Sequence, residues 1–204
     1  MTERRTQEER REATRGALLS AAWRLFAERG YAGASQEEIV SEAGVTRGAL
    51  YHHFAGGKLG LFRAVVIAIQ DEIAREIISA ASKSYKEAGD LLEAYFASYT
   101  AYFEVCLRPD VKRILMQDGA SVLGWDEWYE IDARYGLSQT EEGLRMLVEA
   151  GILAPQPITP LAHLMYGASL EAATYVLESG DPEAAKDEMV GLMRKMLTGF
   201  MEEG

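Results

Sequence analysis

Apolar residues recur every three or four positions along nearly the whole chain, and no segment of useful length alternates apolar with polar, so the pattern predicts an all-α protein. From about Thr14 the positions Ala17, Leu18, Ala21, Ala22, Leu25 and Phe26 form one buried stripe of a helix, with Gly30 placed to end it as a left-handed cap; the polar dozen residues before it read as frayed. Ser35-Gln36-Glu37-Glu38 is a capping box, in which the serine oxygen accepts from the third backbone N–H and Glu38 reaches back, so a short helix is expected through Ile39 and Ala43, stopped by Gly44. Thr46 is then a good N-cap for a third helix running through Leu50 to Phe54. Two short helices joined by a glycine-containing turn have the spacing of a helix-turn-helix.

Beyond Gly56-Gly57-Lys58 the helical pattern resumes from Leu61 through Ile77. A helix over Ala88 to Cys106 sets Leu92, Tyr95, Phe96, Tyr99, Tyr102, Phe103 and Cys106 on one face, and Pro109 suits the first turn of the next, where its missing N–H is unpaired anyway. Trp125 to Ala150 is a further helix, with a bend expected near Gly136. The run Pro155-Gln156-Pro157-Ile158-Thr159-Pro160 is the clearest non-helical connection. The last two helices are expected to start at Thr159-Pro160 and Asp181-Pro182, each a cap residue followed by proline, and to end before Gly180 and near Phe200.

At 204 residues the chain buries a core without staples, and its one cysteine, Cys106, has no internal disulfide partner, so a reducing cytoplasm is the expected location. The charged start, Met1-Thr2-Glu3-Arg4-Arg5, is unlike a secretory signal, and no apolar run reaches membrane-spanning length, so no membrane partner is expected. The net charge of -11 argues against nucleic acid until the chain is divided. Residues 1–58 carry nine Lys/Arg against eight Asp/Glu, while the rest holds twelve basic and twenty-four acidic side chains. That asymmetry points to separate tasks for residues 1–58 and residues 59–204.

The chemistry is most legible in Thr46-Arg47-Gly48-Ala49-Leu50-Tyr51-His52-His53-Phe54. Leu50 and Phe54, four apart, anchor the helix on a small core with Val45, Ile39, Leu25 and Phe26, which leaves Arg47, Tyr51, His52 and His53 on the outer faces. A recognition helix puts its N-terminal residues against base edges, so Arg47 is the candidate for guanine O6 and N7, with Thr46 at the helix start and Gly48 and Ala49 keeping the backbone close to the groove. Tyr51, His53 and Lys58 suit phosphate oxygens, and Ser35 does so at the start of the second helix. The adjacent His52-His53 pair does not make a metal site, because neighbouring helical residues point about 100° apart and no further ligands complete one.

The run Leu25-Phe26-Ala27-Glu28-Arg29-Gly30-Tyr31-Ala32-Gly33-Ala34-Ser35, then Ile39, then Ala43-Gly44-Val45 through Phe54 with Lys58 soon after, closely resembles the DNA-binding domain of the tetracycline-repressor (TetR) family. The likeness covers residues 14–65. Three positions depart from it: Val40 stands where alanine is usual, the stretch from Phe54 to Lys58 is one residue longer than the shortest version, and Leu59-Gly60 replaces a frequent acidic residue. The resemblance implies a nine- or ten-helix fold, homodimers, near-palindromic double-stranded operators, and release of DNA when a small-molecule effector enters the C-terminal domain.

It further implies that the last two helices supply the dimer interface as a four-helix bundle, through Leu161, Leu164, Met165, Ala168, Ala172, Tyr175, Met189, Leu192, Met193, Met196, Leu197 and Phe200. Candidates to line an effector cavity are Tyr95, Tyr99, Tyr102, Phe103, Met116, Trp125, Trp128, Tyr129, His163 and Tyr166, with plain core packing as the alternative for each; His163 and Cys106 sit on apolar faces. The expected function is a ligand-responsive repressor, and a ligand-independent DNA binder is the alternative. No cofactor is expected. An enzyme is not expected either, because no nucleophile elbow, phosphate loop or zinc spacing is present.

Overall fold

The computed structural model of the chain describes residues 6–199, which are overwhelmingly helical. In chain order they form α1 (Gln7–Gly33), α2 (Gln36–Glu42), α3 (Arg47–His53), α4 (Lys58–Ala88), α5 (Leu91–Cys106), α6 (Pro109–Val111), a π-helical segment (Lys112–Gly119), α7 (Ala120–Leu123), α8 (Trp125–Glu149), α9 (Ile158–Glu178) and α10 (Pro182–Thr198). These helices build two compact units, one from residues up to Ile69 together with Pro109–Trp128, the other from Gln70–Arg108 together with the chain from Tyr129 onward.

The first unit holds the helix-turn-helix. Its α1 starts at Gln7, well before the apolar stripe, because Thr6 and Glu9 form a capping box: Thr6 Oγ1 accepts from Glu9 N at 3.2 Å and Glu9 Oε2 from Thr6 N at 2.6 Å. The polar residues read as frayed are thus helical from Gln7. The stripe itself is buried at Leu18, Ala21, Ala22, Leu25 and Phe26, where it meets Ile39 of α2, Leu50 of α3 and Phe54. Leu61, Phe62, Val65, Val66 and Ile69 bury the matching face of α4. The Phe62 ring stands edge-on to Phe26 at 5.3 Å and to Tyr31 at 5.1 Å.

Gly30 breaks α1 at φ 72° and ψ 173°, a conformation that glycine adopts without strain. The break frees the N–H of Tyr31, which the carboxylate of Asp118 accepts at 2.6 Å. Arg113 from the π-helical segment occupies the space a side chain would need, since a Cβ on Gly30 would lie 2.1 Å from its guanidinium. Asp110 adds a second tie, accepting from Trp23 Nε1 at 3.0 Å. Gly30→Ala is therefore expected to lower the unfolding free energy by about 1–3 kcal/mol in urea melts, from backbone strain together with displacement of Arg113; an unchanged midpoint would contradict this account of the kink. Gly60 has a comparable role at the start of α4, where a Cβ would come within 1.9 Å of the Ala55 carbonyl.

In the second unit, the later part of α4 packs with α5, α9, α10 and the body of α8 around a core that includes Phe96, Phe103, Ala162, Met165, Ala173, Val176, Met193 and Leu197. Asp90 caps α5 by accepting from Leu92 N and Glu93 N, and Asp181, followed by Pro182, caps α10 by accepting from Ala184 N at 3.2 Å. The start of α9 differs from expectation: it begins at Ile158, with Pro157 in the cap position, and Thr159 spends its hydroxyl on Glu141 Oε1 at 3.0 Å. Helix α8 runs unbroken through Gly136, whose missing side chain makes room for the Tyr166 ring, 2.9 Å from where a Cβ would stand. Among the described residues no helix is long and apolar enough to cross a membrane.

Candidate nucleic-acid interface and ligand cavity

The outward side of α3 begins at Thr46, whose Oγ1 accepts from Ala49 N at 3.3 Å and fixes the first turn. With Leu50 fully buried, Arg47, Gly48, Tyr51 and His52 are exposed, and Ala49 and His53 are half-buried. Arg47 lies 3.4 Å from the Glu37 carboxylate and holds its guanidinium 5.9 Å from the Tyr51 ring centroid. Hydrogen bonding with Arg47 draws the Tyr51 hydroxyl below its usual pKa, and that hydroxyl lies 3.2 Å from Gln36 Oε1. Burial, followed by the charges of His52, Arg11 and Arg15, pulls His53 below the usual histidine range.

Ser35 caps α2 and exchanges hydrogen bonds with Glu38, whose carboxyl is held at about 2 chiefly by the Ser35 backbone and hydroxyl, with Arg29 adding to it. Lys58 is half-buried, its Nζ 4.1 Å from the centre of the Tyr31 ring, and burial lowers its pKa. The sequence reading missed Gln36 and Glu37, which orient Tyr51 and Arg47, and also Arg11 and Arg15, which the early start of α1 carries to His53 and to the face of Phe54 at 5.1 Å. The Thr6/Glu9 pair was the available signal, since it starts the helix that bears those arginines.

Within the second unit, residues of α4, α5, α8 and α9 line a cavity of about 510 Å³ that opens to solvent. Of the residues singled out from sequence, Tyr95, Tyr99, Tyr102 and Tyr166 line it. The others lie elsewhere. Phe103 is fully buried in the core, Met116 lies half-buried in the π-helical segment, and Trp125 and Trp128 stack at 5.3 Å in the first unit. Tyr129 packs on Tyr166 at 6.0 Å, and His163 is exposed on α9 rather than set in an apolar face.

The cavity's most unusual wall residue was not anticipated. Asp132 accepts from Gln70 Nε2 at 2.6 Å and from the Tyr166 hydroxyl, yet burial still raises its carboxyl above the ordinary range. Its position had a signal, because Trp128, Asp132, Tyr135 and Gln139 follow one another at helical spacing and place an acid within an aromatic stripe. Tyr95 and Tyr99 join hydroxyls at 3.0 Å, and burial raises both, along with Tyr102. Burial likewise pushes the Cys106 thiol to about 12, a core cysteine that stays protonated.

On α9 and α10 the twelve residues expected at a dimer interface separate by burial. Leu161, Met165, Ala172, Met193 and Leu197 are buried inside the chain and have no surface to present to a second copy. Leu164, Tyr175, Leu192 and Met196 are exposed, Ala168 and Met189 are half-buried, and Phe200 lies outside the described residues. Leu164, Ala168 and Tyr175 share one side of α9, and Met189, Leu192 and Met196 share one side of α10.

Residues 18–65 match the family model for bacterial regulatory proteins of the tetR family, and residues 92–200 match that for the tetracyclin repressor-like C-terminal domain. A solved TetR-family transcriptional regulator from Pectobacterium atrosepticum is 33% identical with a TM-score of 0.79, covering 98% of this chain and 99% of that one. The TetC protein of transposon Tn10 from Escherichia coli is 24% identical over 206 residues, the full length of both chains. Several other curated HTH-type regulators match over less than half of their own length. RolR, solved with its ligand resorcinol, shares the fold at 20% identity and a TM-score of 0.70, covering 94% of this chain and 90% of that one.

Proposed function

The chain belongs to the TetR family of transcriptional regulators, and from that premise we propose that it is a homodimeric, ligand-responsive repressor: residues 1–58 bind a near-palindromic operator, and residues 59–204 dimerise and take a small-molecule effector. The observation that carries the DNA reading is the division of α3, with Leu50 sunk in the core and Arg47 and Tyr51 turned to solvent. Arg47 reaches base edges, while Tyr51, His52, His53, Ser35 and Lys58, joined by Arg11 and Arg15, hold phosphates on either side. Thr46, Gly48 and Ala49 keep the first turn of α3 narrow enough to approach the groove.

Dimerisation follows from reach, since one short helix reads too few base pairs to be selective and two copies spaced one DNA turn apart, about 34–36 Å, read a palindrome. The apolar sides of α9 and α10 are the surfaces for it. Gly167, which has open space where its Cβ would stand, lets a second helix approach α9 closely. The effector acts by preferring the dimer geometry in which the two α3 helices no longer match the half-sites. Moving that equilibrium from 1:99 to 99:1 needs about 10⁴-fold differential binding. The 510 Å³ cavity favours a sensing protein over the ligand-independent alternative, for which a filled core would serve as well.

Operator titrations distinguish the roles on α3. Arg47→Ala is expected to weaken binding by about 1–3 kcal/mol and to relax preference at one base pair, whereas Lys58→Ala should weaken all sequences alike and flatten the salt dependence. Uniform loss across sequences for Arg47→Ala would make it a phosphate contact and overturn its assignment.

A further inference from the structure

Among the residues lining the cavity there is no lysine, arginine or histidine, while two are acidic, Asp132 and Glu142. Glu142 already has a cation, the Arg145 guanidinium at 2.7 Å, and is exposed to solvent. Asp132 does not. Its two hydrogen bonds come from neutral donors, Gln70 and Tyr166, which occupy about half of the four lone-pair positions a carboxylate offers. Among the described residues it forms no ion pair, and burial penalises its charge. The rest of the wall is rich in tyrosine: Tyr85, Tyr95, Tyr99, Tyr102, Tyr135 and Tyr166.

We propose that the effector is a hydrophobic organic cation, an aromatic body bearing one protonated amine or amidine, whose N–H groups pair with Asp132 while its body packs among the tyrosine rings. This rests on the reading of the cavity as the effector site. A cation supplies the compensation that Asp132 lacks and uses its remaining lone pairs in charge-assisted hydrogen bonds, which are the stronger kind. Aromatic faces add an attraction for positive charge that grows when water is excluded. An anionic ligand would meet the uncompensated carboxylate of Asp132 with no cation on the cavity wall, and a neutral ligand would leave Asp132 as it stands, so both are selected against.

The test uses the full-length protein without DNA and three fluorescent probes that share one aromatic body: pyrenemethylamine, pyrenemethanol and pyrenecarboxylate, titrated at neutral pH. The amine is expected to bind at least about tenfold tighter than the alcohol, with the carboxylate weakest. Asp132→Asn should abolish the preference for the amine while leaving alcohol affinity within about twofold, so the alcohol titration also reports that the cavity is intact. Glu142→Gln should keep the preference, because that charge is already paired. Alcohol or carboxylate binding as tight as the amine, or a preference that survives Asp132→Asn, overturns the cation assignment and leaves the cavity as the effector site. Failure of the folded protein to bind any of the three overturns both.

Discussion

Leu164→Glu combined with Leu192→Glu is expected to leave the proposed dimer as folded monomers, with its dissociation constant raised at least about 100-fold, or about 2.7 kcal/mol. The two leucines are 66% and 52% exposed in the single chain, so their replacement leaves the core of that chain untouched. Two-fold symmetry presents each substitution twice across one interface, and burying a carboxylate in an apolar patch without a partner carries a penalty of several kcal/mol. Sedimentation equilibrium reads the result directly, and circular dichroism should show helicity unchanged. Operator affinity should fall with the dimer, because each monomer retains only one reading helix. A variant that remains dimeric at micromolar concentration would place the interface on another face.

Phe26→Ala is the second large effect, at about 3–5 kcal/mol of unfolding free energy. The side chain is fully buried, and its ring contacts two others, Tyr31 at 5.8 Å and Phe62 at 5.3 Å. Removing it opens a cavity at the point where α1 meets α4, in a unit whose geometry holds α3 in place. A domain with about 5–15 kcal/mol to spare loses much of its margin, so the urea midpoint should fall sharply and operator binding should weaken although no DNA-facing side chain has changed. Phe26→Leu, which keeps most of the volume, should lose distinctly less. Equal losses for the two variants would point to the aromatic geometry rather than to volume.

The helix-turn-helix was legible because its signals are local. A capping box at Ser35, glycine at Gly44 and threonine at Thr46 each act within four residues, and the structure realises each of them. The start of α1 was equally local but was passed over, since Thr6 and Glu9 sit in a polar stretch that lacks the apolar stripe used to find helices. What sequence did not disclose depends on residues far apart in the chain. Asp118 is recruited to Tyr31 across eighty-seven positions, and nothing near either residue announces the pairing. The cavity has the same character, because Gln70, Asp132 and Tyr166 come from three helices. Periodicity identifies a helix's inner face without distinguishing a filled core from a hollow one, which explains why Phe103 packs while Tyr102 beside it lines the cavity. The same ambiguity affected α9 and α10, where apolar residues such as Met165 and Leu164 are adjacent in sequence and opposite in burial.

Selection of duplexes from a random pool by the purified protein, at moderate salt, reads out whether α3 recognises DNA sequence. Enrichment of one near-palindromic site is expected, its half-site centres about 34–36 Å apart, with the Arg47→Ala protein losing preference at a single symmetric pair of positions. Recovery of no common sequence, or of the same sequence with Arg47 and Tyr51 both replaced by alanine, would show that α3 does not read DNA.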